Sequence, residues 1–219
     1  MDKNEIKLKI REGVRPLVLS LDRVGFTPLS VSVLGLAISV VAGFVVAGGH
    51  LFWGAVVFLL GSACDMLDGG LARLQGTVSR RGAFLDSTFD RFGEAALFCG
   101  LAWFYTTGLQ EVRPWAVVFI IGTIVGSLTT SYVRARAEGL GETCFVGFLQ
   151  RPERIVILTV GMVLGWRVLE VVLGFLAGAT LATTIQRIVH VVSKLPATDP
   201  PGQQPANPPG TPEKPGGTA

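Results

Sequence analysis

Four aspartates recur at short, fixed intervals in the stretch DMLDGGLARLQGTVSRRGAFLDSTFD, which runs from Asp65 to Asp90. Asp65 and Asp68 are three residues apart, and Asp86 and Asp90 four apart, so on helices each pair shares a face. A hairpin at 75–82 would bring the two pairs together. Unpaired, such carboxylates repel one another. Hard divalent cations resolve the conflict because Mg²⁺, Mn²⁺ or Ca²⁺ binds carboxylate oxygens. Four carboxylates suit two ions better than one, and two-metal sites clamp phosphoryl oxygens and stabilise a leaving group. Gly69, Gly70 and Ala72 leave room for a ligand, Gly82 opens the next helix without a side chain, and Arg73 can engage a phosphate bidentately. This set suits a pyrophosphate-bearing lipid. Two other uses fit the same carboxylates: an ion network with Arg73, Arg80, Arg81 and Arg91, or a path for cations across a membrane.

The chain around this stretch is built for lipid. It has 219 residues, of which 49% are hydrophobic and only 16% charged, and its mean hydropathy is positive. Soluble domains carry about 25% charged residues. A net charge of +3 gives no reason to expect a nucleic acid partner. Cys64, Cys99 and Cys144 show no CxxC spacing and read as small packing residues. The first apolar run starts near Leu29, after a charged segment, so no cleaved secretory signal is expected.

The fold class that follows is all-α and integral to the membrane: six transmembrane helices plus an N-terminal amphipathic surface helix. In residues 1–24, apolar residues from Ile10 to Leu21 recur at three- and four-residue steps against Lys and Arg, as in a helix lying on a membrane surface. Thr27-Pro28 starts the next element. Six apolar spans are expected near 29–48, 51–74, 83–106, 114–138, 153–168 and 169–193, the fifth short for a bilayer. Residues 25–195 thus form one six-helix domain, and 196–219, rich in Pro and Gly, read as a disordered tail. Lys and Arg concentrate in the N-terminal segment, at 73–81, at 134–154 and at 187–194, leaving Arg113 and Arg167 for the other side. This asymmetry predicts cytoplasmic termini and a cytoplasmic aspartate cluster.

The pattern Asp65-x2-Asp68-Gly69-x2-Ala72-Arg73-x8-Gly82-x3-Asp86-x3-Asp90 resembles the signature of the CDP-alcohol phosphotransferase family, and every fixed position of that signature is matched. The resemblance implies a six-span homodimer, CDP-diacylglycerol as donor, two divalent cations and release of CMP. By analogy, Asp65, Asp68, Asp86 and Asp90 hold the metals. Asp90 is also the general base on the acceptor hydroxyl, and Gly69, Ala72, Arg73 and Gly82 hold the cytidine diphosphate. SYVRARAE, FLQRPER and TIQR further resemble the bacterial phosphatidylinositol-phosphate synthase branch, whose acceptor is inositol phosphate. On that analogy Ser131, Arg134, Arg154 and Arg187 bind the phosphorylated polyol. Relatives in that branch carry Lys where Arg134 stands, and Arg is not equivalent for contacting a ring hydroxyl. Glycerol 3-phosphate is the rival acceptor.

Four further features lie outside the signature. Glu94 extends the face of Asp86 and Asp90 by one turn, as a neighbour of Asp90 or an ion-pair partner of Arg91. Arg154 and Arg187 have a second reading, in which their side chains snorkel to the interface. His50 and His190 have no metal-ligand partner at useful spacing. Trp53, Trp103, Trp115 and Trp166 fall near span ends, as an aromatic belt requires.

Overall fold

A computed structural model of the chain describes residues 3–195, with side chains from residue 13 onward. The Pro/Gly-rich segment at 196–219 and the basic side chains before residue 13 lie outside the described residues. The described part is all helical: α1 (Lys3–Val24), α2 (Pro28–Ala47), α3 (Leu51–Leu74), α4 (Arg80–Thr107), α5 (Pro114–Gly139), α6 (Arg151–Leu164) and α7 (Trp166–Val192). Thr27 caps α2, with a reciprocal bond from its own backbone N–H to Ser30. Ser79 caps α4 through Gly82 N–H.

Four of these helices, α2, α3, α5 and α7, are long and apolar enough to cross a membrane. Their apolar side chains stay largely outward, including Phe44, Trp53, Trp115, Ile121 and Val171, as expected where lipid replaces water. The first half of α4 is interrupted by Arg80, Arg81, Asp86, Asp90, Arg91 and Glu94. α6 has 14 residues, about 21 Å at 1.5 Å per residue, against a hydrocarbon core of about 30 Å. The break between α6 and α7 falls at Gly165, because Gly165 takes φ +99° and turns the chain there.

The hairpin from α3 to α4 does not make these helices packed neighbours along their length. α2 lies between them and packs closely on both. Small residues make this possible. A Cβ on Gly35 would sit 2.8 Å from Cys64 Cβ of α3, and one on Gly93 of α4 would sit 3.0 Å from Ser39 Cβ. Further along, a Cβ on Gly43 would meet the Ala96 carbonyl of α4 at 2.5 Å. α5 packs on α7 and α6 bridges α3 and α7. Buried threonines line the α5–α7 seam. Thr180 Oγ1 donates to its own helix at Leu176 O (2.8 Å), and Thr130 and Thr184 hydroxyls meet at 2.7 Å.

α1 is helical, as its periodicity predicts, and it packs on α3. Val18 is buried with Val31, Cys64 and Leu71, and Val14 and Leu21 pack on that cluster, while Arg15, Leu17 and Arg23 face outward. Gln75 Nε2 ties the end of α3 to α1 by donating to Asp22 Oδ1 (2.8 Å) and to Phe26 O (3.0 Å). Cys64 and Cys144 are buried packing residues and Cys99 is exposed. Trp53, Trp103 and Trp115 are exposed, but Trp166 is only partly so. Arg113 and Arg167 stack over its ring at 4.8 and 5.1 Å, and Tyr105 Oη donates to its carbonyl at 2.6 Å.

Candidate active site

The C-terminal end of α3, the first turns of α4 and the N-terminus of α6 converge. Asp65, Asp86 and Asp90 each offer a carboxylate oxygen, and these oxygens lie within 4.8 Å of one another. Two helices are needed because no single face presents three carboxylates so closely. The fourth aspartate stands apart. Asp68 is buried and its carboxylate accepts a hydrogen bond from the Ser32 hydroxyl of α2. Three of the four predicted carboxylates therefore meet directly, and the intervening α2 holds the other.

The counter-charge is not among the arginines considered from sequence. Arg73, Arg80, Arg81 and Arg91 form no ion pair with these aspartates among the described residues, and Arg91 donates instead to Ser87 O of its own helix. Arg151, the first residue of α6, takes that place. Its Nη1 donates to Asp65 Oδ2 at 2.9 Å and to Asp90 Oδ2 at 2.6 Å. Three carboxylates against one guanidinium leave two negative charges unbalanced. Asp90 Oδ1 is also buried, with no hydrogen-bond partner among the described residues. An oxygen-lined, doubly negative pocket with an unsatisfied acceptor fits a divalent cation of the Mg²⁺ or Mn²⁺ kind.

Beside this cluster runs a groove of about 520 Å³, within the range of small-molecule sites. Asp68, Gly69, Ala72, Arg73, Gly82 and Asp86 all line it, so the structure gathers every residue predicted for the nucleotide into one cavity. Thr27, Pro28 and Ser32 close its other wall. A Cβ on Gly69 would meet nothing but the Arg73 guanidinium, at 3.6 and 3.8 Å, so this glycine leaves space in front of the arginine.

The residues predicted for the acceptor divide. Arg154 and Arg187 are both buried, at 5% and 7% exposure, so neither snorkels to the surface. Arg187 donates to the backbone carbonyls of Val146 (2.8 Å) and Thr130 (2.8 Å). Arg154 donates to Ser127 Oγ at 3.0 Å and lies 3.7 Å from Glu94 Oε2. Glu94 thus faces Arg154, not Arg91. Ser131 is partly exposed and adjoins the Thr130 carbonyl that Arg187 holds. Arg134 is exposed, pairs with Glu138 at 2.8 Å and stacks on Phe145 at 5.0 Å. Arg151, Ser32 and Ser127 were not singled out from sequence. For Arg151 a signal existed: it lies three residues before Arg154, and helical residues three apart are neighbours.

The sequence matches the CDP-alcohol phosphatidyltransferase family model over residues 26–190. The chain belongs to that family. It is an enzyme of this class, dependent on divalent cations. Phosphatidylinositol phosphate synthase of Mycobacteroides abscessus is 40% identical over 187 residues, covering 83% of this chain and 84% of that protein. Two crystal structures of Mycobacterium tuberculosis phosphatidylinositol phosphate synthase share the fold. One has CDP-DAG bound (TM-score 0.74, 38% identity, 80% of this chain and 92% of that one). The other is a complex with manganese and citrate (TM-score 0.76, 38% identity, 83% and 90%).

Proposed function

We propose that the chain transfers a phosphatidyl group from CDP-diacylglycerol to a hydroxyl of inositol phosphate, giving phosphatidylinositol phosphate and CMP. One observation carries this reading: the carboxylate trio of Asp65, Asp86 and Asp90 has the groove of Arg73 and Gly69 on one side, through Asp86, and Arg151 of α6 on the other, one turn from the buried Arg154. Donor and acceptor phosphates would meet there across a metal-binding centre. The CDP-DAG and manganese complexes of a relative 38% identical in sequence support the donor and the ion.

In this reading Asp65, Asp68, Asp86 and Asp90 hold two divalent cations. Bound there, these ions supply neutralisation of the charge that builds on the departing CMP phosphate. Gly69, Ala72, Arg73 and Gly82 hold the cytidine diphosphate, Arg73 as the charged donor to its phosphates. Arg154 and Arg187, with Ser131 and Arg134, bind the acceptor. The acceptor hydroxyl attacks the lipid-bearing phosphorus, its O–P bond forms, and the bond to the CMP oxygen breaks. Asp90 takes the hydroxyl proton. Its Oδ2 is anchored on Arg151, and Oδ1 has no partner among the described residues.

The site faces the cytoplasm, with both termini on the same side. The clustering of basic residues near the ends of α1, α3, α5 and α7 supports this. Helices α2 to α7 embed in the bilayer, α6 as a short insert against α3 and α7. Homodimerisation is carried over from the family resemblance, and the mass of the detergent-solubilised protein tests it.

The function is tested by CMP release. Purified protein receives CDP-diacylglycerol and Mn²⁺, then inositol phosphate, glycerol 3-phosphate or serine in separate reactions. Release with inositol phosphate is expected. Use of glycerol 3-phosphate alone would overturn the acceptor, and cation uptake without CMP release would overturn the enzyme reading.

A further inference from the structure

Asp86, Asp90 and Glu94 form one carboxylate stripe on α4, at four-residue steps. The first two turn into the metal-binding cluster. The third, 9% exposed, belongs to a different buried group. Ser127 of α5 is 3% exposed and Arg154 of α6 is 5% exposed. Ser127 Oγ lies 2.9 Å from Glu94 Oε2 and 3.0 Å from Arg154 Nη2. The direction of both bonds is fixed by chemistry. A carboxylate only accepts and a guanidinium only donates, so the hydroxyl must give its proton to Glu94 and accept from Arg154.

This arrangement joins three helices at a place where α4 and α6 have little backbone packing. As glue it is a poor choice, because apolar side chains of similar volume usually stabilise as well as a buried ion pair. It does fix the guanidinium. Nη2 is anchored, while Nε remains buried with no partner among the described residues. The fork is thus held on one edge and left with an unused donor.

We infer that Glu94 and Ser127 are positioning residues for the acceptor: they orient Arg154 so that its unpaired Nε–H meets the acceptor phosphate. Glu94 also balances the Arg154 charge before the phosphate arrives. This rests on the assignment of Arg154 to the acceptor. Neither residue touches substrate, so their loss acts on acceptor binding and leaves the donor site and the chemical step intact.

The experiment is a set of acceptor and donor titrations of the full chain in detergent with Mn²⁺. Ser127→Ala and Glu94→Gln are each expected to raise the inositol phosphate KM about ten- to hundredfold, the range for one hydrogen bond to a charged group. The CDP-diacylglycerol KM and kcat should change little, which also shows that the variants are folded. In an Arg154→Ala background, Glu94→Gln should add no further rise, since its route to the substrate is gone. An equal rise in both backgrounds overturns the inference, as does a Ser127→Ala protein with unchanged acceptor KM. An Arg154→Ala protein with unchanged acceptor KM overturns the acceptor assignment itself. A rise for Arg154→Ala with none for the other two variants overturns only the positioning role.

Discussion

Replacing Asp90 by Asn separates the two tasks proposed for that residue. The substitution keeps the volume and removes the charge. Asp90 Oδ2 loses its 2.6 Å ion pair with Arg151, but Arg151 keeps Asp65 at 2.9 Å, so the guanidinium is not left without a carboxylate. The hairpin and its packing on α2 should survive. A general base contributes about 10²–10⁴-fold in rate, or about 2.7–5.4 kcal/mol at 1.36 kcal/mol per decade. Asp90→Asn should lower kcat by that factor. It should also weaken Mn²⁺ affinity, because one of the three clustered carboxylates is gone. The assay is CMP release at saturating substrates across a Mn²⁺ series, alongside a CDP-diacylglycerol binding measurement without acceptor. If Asp90 is both ligand and base, turnover stays at least 10²-fold low when Mn²⁺ saturates, while donor binding returns. Recovery of turnover to near the unsubstituted level by added Mn²⁺ would refute the base and leave only the ligand.

Four other outcomes follow from the same geometry. Chelation with EDTA should abolish CMP release, and Mg²⁺ or Mn²⁺ added back should restore it; activity that survives exhaustive chelation contradicts the metal centre. Ser32→Ala removes the hydroxyl that donates to Asp68. A hydrogen bond to a charged group contributes about 1.5–3 kcal/mol, so the donor kcat/KM should fall by roughly tenfold or more, read from CDP-diacylglycerol titrations. Gly43→Leu forces side-chain atoms onto the Ala96 carbonyl, since even a Cβ there would approach to 2.5 Å. Overpacking of this kind costs about 1–3 kcal/mol and should show as a lower Tm in detergent. Tyr105→Phe deletes the 2.6 Å bond to Trp166 O, at the opposite end of α4 from the aspartates. It should cost about 1 kcal/mol of stability with kcat unchanged.

The sequence exposes the membrane setting and the aspartate hairpin because both are local signals. Hydropathy runs mark α2, α3, α5 and α7, and the aspartate steps of three and four describe faces of single helices. What stays hidden depends on how helices pack. Ser32 meets Asp68 across 36 residues of chain, and Arg151 meets Asp65 across 86. Ser32 is one of several serines in α2, and nothing in its neighbours distinguishes it from Ser30 or Ser39. The wedge of α2 between α3 and α4 is similarly silent. A short loop implies that two helices are adjacent, but the glycines that admit a third helix read equally well as ordinary membrane packing residues.

Arg151 shows what that packing contributes to the chemistry. Charge counting from the signature alone balances the aspartates against metal ions and Arg73. The structure places Arg73 on the groove and Arg151 on the cluster, so the aspartates pair with Arg151 and leave Arg73 to the groove. With Arg151 counted, the trio retains two negative charges, which one divalent cation neutralises. A second ion needs another carboxylate, and the adjacent candidate is Asp68, held by Ser32 at the wall of the groove. The two-ion reading therefore predicts unequal sites. One lies in the trio, and the other forms with Asp68 on the donor side, where the phosphates of CDP-diacylglycerol supply its remaining oxygens. Mn²⁺ titration with and without donor tests this. One ion per chain without donor and two with it are expected, and two equal sites in the absence of donor would contradict it.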